Sequence, residues 1–178
     1  LANPNVCGLW IEPIQGEAGV FVPDDGYLKK AQELCKAKNV LLICDEVQTG
    51  LARTGKMLAS DYESVKPDIL ILGKALSGGT MPVSAALAND EIMLTIKPGQ
   101  HGSTFGGNPL SCAAANAALD VIKEEDLPGQ AEAKGKYLMD KLMEINSPNI
   151  REVRGLGLMV GIEMKQKVTA YIKALQEK

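Results

Sequence analysis

Two segments carry residue types that can do chemistry together. In LLICDEVQTGLARTG, Asp45 and Glu46 follow the apolar run Val40–Cys44. In PDILILGKALSGG, Lys74 follows Ile69–Leu72 and precedes a Gly-rich turn. An acidic pair after a strand serves loop capping or Mg²⁺ binding as readily as catalysis, and a lone Gly-Lys says less still. Placed just past the ends of two strands, however, Asp45 and Lys74 can face one site, because open α/β sheets bind ligands beyond the carboxyl ends of their strands. A carboxylate and an amine so placed meet the demands of pyridoxal 5′-phosphate (PLP). Its ring withdraws electrons only while the ring nitrogen stays protonated, which requires a carboxylate against that nitrogen, and Asp45 fits. Its aldehyde needs an amine that can be neutral, and a lysine partly desolvated beside other cations falls below its usual pKa of about 10.4. Lys74 fits that role. Gln48, one helical turn on from Asp45, can donate to the phenolate oxygen of the ring or stand as a solvated loop amide.

The elements that must hold these residues follow from the apolar pattern. Val6–Ile11, Val40–Cys44, Asp68–Leu72 and Val83–Ala88 are short apolar runs without clean alternation, which predicts strands buried on both faces of a mainly parallel sheet. Between the first two, GYLKKAQELCKAKN spaces Leu28, Ala31, Leu34 and Cys35 as a helix and ends on Asn39, completing a βαβ unit. After Pro109, LSCAAANAALDVIKEE predicts a helix to about Glu125, and an amphipathic stretch predicts another over Gln130–Ile145, closed by Ser147–Asn149. The pattern then changes. REVRGLGLMVGIEMK, broken by Gly155, Gly157 and Gly161, suits strands of a smaller domain, and VTAYIKALQEK begins a further helix. The fold class is therefore α/β, with residues 1–120 in a large domain and residues 121–178 as an interdomain helix and the start of a small α+β domain.

A net charge of -3, with lysines and arginines scattered, offers no footprint for nucleic acid. The longest apolar runs are far short of the roughly 20 residues that span a bilayer, so no membrane partner is expected. Cys7, Cys35, Cys44 and Cys112 form no CxxC pair and His101 has no metal-ligand spacing around it, so the cysteines read as free thiols in a reducing compartment and no metal is expected. No GxGxxG follows a strand, which argues against a dinucleotide binder. LANPNVCGLW lacks an initiator Met and a signal-peptide pattern. It reads as a piece of a longer chain whose targeting to cytoplasm or mitochondrial matrix is undetermined.

LLICDEVQTGLARTG, DILILGKALSGG and EPIQGEAG, with 29 positions from Asp45 to Lys74, resemble the class III, fold type I, PLP-dependent aminotransferases over essentially the whole chain. EPIQGEAGV, ILGKALSGG and IKPGQHGSTFGGNP are most similar to the ornithine branch of that family, while acetylornithine and 4-aminobutyrate enzymes share much of them. The resemblance implies roles. Lys74 would carry PLP as a Schiff base and shuttle the proton, Asp45 would pair with the pyridinium, and Gln48 would bond the cofactor's 3′ oxygen. Glu12 would lie near the cofactor cleft. Glu17 would hold a substrate-switching arginine that lies beyond this chain. Ser103 and Thr104 would cross to the neighbouring subunit's phosphate, so that a homodimer shares its active sites. From the residues alone, Glu12 could end a strand, Glu17 could be a solvated turn residue, and Ser103–Thr104 could be a plain turn. Arg53 reads first as a loop anchor, and His101 as structural. The implied reaction is transfer of the terminal amine of ornithine to 2-oxoglutarate, and the contrasting reading is a non-catalytic binding or dimerisation relative. A phosphate loop, a ring-stacking aromatic and a carboxylate-binding arginine would all lie outside the chain.

Overall fold

Leu42 and Cys44 point to one face of a central strand, where a helix covers them, and Ile43 and Asp45 point to the other. In the computed structural model, which describes residues 1–177, strands β1 (Gly8–Ile11), β2 (Leu41–Asp45), β3 (Ile69–Leu72) and β4 (Ala85–Ala88) form one sheet in that order. Trp10 aligns with Ile43 and Asp45 with Ile71, both in parallel register, while Leu72 aligns with Ala85 in antiparallel register. The sheet is mainly parallel, as the apolar runs predict. The expected burial on both faces is not met: in β2 one face is buried, with Leu42 and Cys44 1% and 0% exposed, while Ile43 and Asp45 on the other are half-buried and Leu41 is exposed. In β1 and β4, Trp10 and Leu87 stand 61% and 46% exposed.

Helix α1 (Tyr27–Lys38) packs Leu28 and Cys35 against Val40, Leu42, Cys44 and Val65. Burying one such aliphatic side chain stabilises by about 2 kcal/mol. The helix has no side-chain cap of its own. Glu63 supplies one from a distance, its carboxylate accepting the N–H groups of Gly26 and Lys29 at 3.2 and 2.8 Å, which satisfies donors that a helix start leaves unpaired. At the other end Asn39 adopts the left-handed conformation (φ 52°) that closes helices.

After β4 comes one turn of helix, α2 (Asp90–Met93), and then α3 (Pro109–Glu124), with Pro109 in the first turn and Asn108 Oδ1 accepting the Ser111 N–H. Ala115 and Ile122 of α3 join Leu51, Ala52, Leu72 and Leu76 in a second core cluster. Residue 121 falls inside α3, and the chain turns at Glu125–Asp126. Helix α4 (Leu127–Glu144) begins three residues before the predicted Gln130. The reason is local: Asp126 caps it by accepting the Gly129 N–H, and Pro128 is tolerated in a first turn. Strands β5 (Ile150–Leu156) and β6 (Met159–Met164) make an antiparallel hairpin, followed by α5 (Thr169–Gln176). Lys178, at the end of the predicted last helix, lies outside the described residues.

The hairpin tip docks on the loop after β2. The Leu158 N–H donates to Arg53 O at 3.0 Å. Gly157, at φ +56°, sits so close to Thr54 that an added Cβ would fall 2.3 Å from its carbonyl carbon. Both the backbone angle and the space require glycine there. Gly157→Ala is therefore expected to destabilise the full-length protein by about 3 kcal/mol, read as a lower midpoint of urea unfolding. Gly79→Ala serves as the comparison. There φ is +82° but no atom lies within 4 Å of the added carbon, so only backbone strain of about 1 kcal/mol remains. Equal losses for the two substitutions would contradict the close approach.

Candidate active site

Asp45 ends β2, aligned with Ile71 of β3, and Lys74 follows three positions later, so the acid and the amine stand at the same end of adjacent parallel strands. The two members of the acidic pair separate cleanly. Asp45 is half-buried, and each of its oxygens has one donor: Trp10 Nε1 at 3.1 Å on Oδ2 and Val47 N at 3.1 Å on Oδ1. Glu46 is 1% exposed and points into the fold. Its carboxylate accepts the Thr49 hydroxyl at 2.6 Å and the N–H groups of Ala59 and Ser60 at 2.9 and 2.8 Å. Glu46 is thus a structural anchor, and Asp45 is the carboxylate left at the strand end. No cluster of His, Cys, Asp or Glu arranged to hold a metal ion occurs among the described residues.

Lys74 opens a short 3₁₀ turn, Lys74–Ser77, between Gly73 and Gly78. Its own φ of +41° lies in the left-handed region, an uncommon conformation for a side-chain-bearing residue and one that clusters at functional sites. The side chain lines a cleft of about 1240 Å³ walled by Gln48, Arg53, Gly79, Ala118 and the hairpin residue Met159. It also borders a second cleft of about 480 Å³, lined by Pro82, Phe105 and Asn108. Lys74 is the residue common to both.

Gln48 joins the predicted residues of the first loop. Its Nε2 donates to Glu17 Oε1 at 3.2 Å, and the Gly16 N–H donates to Glu12 Oε2 at 3.0 Å. Gly16 and Gln48 line the larger cleft together with Lys74; Glu12 and Glu17 join them only through these hydrogen bonds, and Asp45, at the neighbouring strand end, lines neither cleft. Ser103 and Thr104 are exposed and line neither cleft. The Ser103 hydroxyl accepts the Gly106 N–H at 2.8 Å, closing a turn that leads into the wall of the smaller cleft.

Trp10 goes unmarked in the sequence, and Arg53 reads there only as a loop anchor. Trp10 holds Asp45 from the neighbouring strand; an aromatic with a polar edge inside an aliphatic run was the available signal, since a Trp N–H seeks a partner. Arg53, read as a loop anchor, anchors the hairpin through its carbonyl and also lines the larger cleft. Cys44 lies beneath Asp45 and is fully buried. Burial, reinforced by Glu46 and Cys35, pushes its thiol up to about 12, so it stays neutral at physiological pH and offers no competing nucleophile. The four cysteines are free, as expected.

Against known families, the aminotransferase class-III model matches residues 1–178. The chain belongs to the class III aminotransferase family. It is 60% identical to the mitochondrial ornithine aminotransferase of Drosophila melanogaster, an alignment that covers 100% of this chain and 41% of that relative. Among solved structures of the family, an ornithine aminotransferase from Toxoplasma gondii, described with partial occupancy of PLP at its active site, superposes with a TM-score of 0.90 at 54% identity. It covers 92% of this chain and 39% of that one. An acetylornithine aminotransferase from Elizabethkingia anophelis superposes equally well, TM-score 0.90 at 56% identity, over 94% of this chain and 44% of that one. The α/β architecture is that of these class III enzymes, fold type I. The chain spans less than half the length of these relatives. No helix among the described residues is long and apolar enough to cross a membrane.

Proposed function

We propose that this segment is the cofactor-holding part of a PLP-dependent aminotransferase that moves the terminal amine of ornithine to 2-oxoglutarate, yielding glutamate 5-semialdehyde and glutamate. The observation that carries the proposal is the placement of Asp45 and Lys74 at the carboxyl ends of β2 and β3. The residues present fit PLP. Asp45 keeps a carboxylate oriented by a donor on each oxygen, and Lys74 reaches a cleft whose walls include the small residues Gly79 and Ala118. When bound, PLP supplies an aldehyde and a ring that withdraws electrons from a substrate carbon.

The chain's own residues do the rest. Asp45 would hold the cofactor at its ring nitrogen, where its carboxylate would keep a proton. Lys74 Nζ would hold the cofactor covalently and, when free, would serve as the base that moves a proton at the substrate carbon. Gln48 has one N–H engaged by Glu17 and a second available for the ring's 3′ oxygen. Glu17 would hold the substrate-switching arginine that lies beyond this chain while the substrate's far end is an amine, and Glu12 fixes the loop that bears Glu17 by accepting the Gly16 N–H. Ser103 and Thr104, exposed on a turn outside both clefts, suit contact with a phosphate held by a second subunit of a homodimer. Residues 1–120 then form part of the large domain, and 121–178 an interdomain helix and the start of a smaller one.

The likeness to an acetylornithine aminotransferase at 56% identity favours one second reading, in which the substrate amine belongs to an acylated relative of ornithine. The test is to compare kcat/KM of the full-length enzyme for ornithine, N-acetylornithine and 4-aminobutyrate with 2-oxoglutarate as acceptor. Ornithine is expected to lead by at least about tenfold. A faster acetylornithine reaction would transfer the assignment to that substrate.

A further inference from the structure

The β5–β6 hairpin reaches the Glu17 loop through one side chain. Arg154 directs Nε and Nη2 to the carbonyl oxygen of Gly19, at 2.9 and 2.8 Å, across 135 positions of sequence. Its Nη1 donates to Glu152 and Glu163 at 2.8 and 2.6 Å, and its guanidinium lies 4.3 Å from the centre of the Phe21 ring. The side chain is 13% exposed, so these are not the solvated surface pairs that contribute little. Glu163 is also bonded by Arg151, and these two arginines, Arg154 foremost, hold its carboxyl below the usual range. It therefore remains an anion that fixes the guanidinium from behind.

The loop that Arg154 grips is itself closed. Gln15 and Phe21 exchange backbone hydrogen bonds at 3.1 and 3.0 Å, and between them Gly19 (φ +128°) and Val20 (φ +58°) take left-handed conformations. Strand β6 lies directly on the loop, for a Cβ at Gly161 would meet the Gly19 carbonyl oxygen at 3.2 Å. Glu17 stands two positions before Gly19 and reaches Gln48 at the cleft.

We propose that Arg154 is a positioning residue for substrate: by fixing the Gly19 carbonyl and the Phe21 ring it sets the position from which Glu17 pairs with the substrate-switching arginine while an amine-ended substrate is bound. The proposal rests on the substrate role given to Glu17 above. Only a planar fork can satisfy one carbonyl with two donors, two carboxylates with a third nitrogen and a ring face at once; an ammonium cannot. The hairpin thus contributes to selectivity without touching the reacting atoms.

The test uses the full-length holoenzyme with Arg154→Lys, Arg154→Met, Glu17→Gln and the Arg154→Lys/Glu17→Gln double variant. KM and kcat for ornithine are measured together with the cofactor's absorbance spectrum and its dissociation constant. Both Arg154 variants are expected to raise KM for ornithine roughly tenfold, kcat moving less than about threefold, with spectrum and cofactor affinity unchanged. In the Glu17→Gln background the Arg154→Lys effect should vanish. Should Arg154→Met fail to fold, Arg154→Lys keeps the charge and carries the test. An unchanged KM in a folded Arg154 variant that accompanies a raised KM in Glu17→Gln overturns the role of Arg154 alone. So does full additivity in the double variant, or a parallel loss of kcat and bound cofactor. An unchanged KM in Glu17→Gln removes Glu17 from the substrate site, and both readings fail.

Discussion

Lys74→Ala in the full-length enzyme should reduce transamination by about 10⁴-fold, the upper range of what a positioned proton-transfer group contributes. On the proposed function, the substitution removes both the amine that would attach the cofactor and the base that would move the substrate proton, two functions on one nitrogen. It should leave the fold nearly untouched. Lys74 is exposed, and alanine suffers in the left-handed conformation at φ +41° as lysine does, so a stability change within about 0.5 kcal/mol is expected. Borohydride treatment of the wild-type holoenzyme should add the reduced cofactor's mass to the peptide bearing Lys74, and the variant should show no adduct. A variant that retains wild-type turnover, or a cofactor adduct on another lysine, would remove Lys74 from its role.

Asp45→Asn should lower kcat/KM by about 10²–10³-fold, the loss typical of removing one preorganised electrostatic contact. Asparagine preserves shape but not charge, so on the proposed function the ring nitrogen would lose the anion that holds its proton. The change also disturbs the carboxylate's own setting. Trp10 Nε1 and Val47 N donate to different oxygens of Asp45, whereas an asparagine offers one acceptor and would turn its NH₂ toward the other donor. That conflict costs about 1–3 kcal/mol, which thermal unfolding will register. The kinetic loss should persist at every pH, because no protonation restores a charge to an amide. Activity within tenfold of wild type would exclude the pairing of Asp45 with the cofactor.

Much of this arrangement is legible before any coordinates, and for a physical reason. Val40–Cys44 and Ile69–Leu72 are short apolar runs with polar residues just beyond them, and a parallel sheet turns that local pattern into two residues at one end of one layer. The antiparallel direction of β4 has no such signature, since an apolar run reads the same either way. The start of α4 is hidden behind Pro128 and Gly129, which look like a break until Asp126 is seen to cap them. Trp10 and Arg154 could not be assigned because their partners stand 35 and 135 positions away; no local period encodes such a contact. The split between Asp45 and Glu46 lies between these cases. Successive residues at a strand end point to opposite faces, but which face is buried depends on the turn at Ala59–Ser60 that closes over Glu46.

That closure has a consequence for how the site comes apart. The carboxylate of Glu46 is 1% exposed and its donors come from Thr49, Ala59 and Ser60. Detaching the Ala59–Ser60 segment alone would leave a buried anion without two of its three donors, at a cost of several kcal/mol. The segment therefore cannot fray by itself as surface turns do. Its amides belong to the same cooperative opening unit as β2 and should exchange with solvent only when the central strand does. The strand end that carries Asp45 is thus tied to that unit, so the acid is expected to stay in place whenever the central strand is closed.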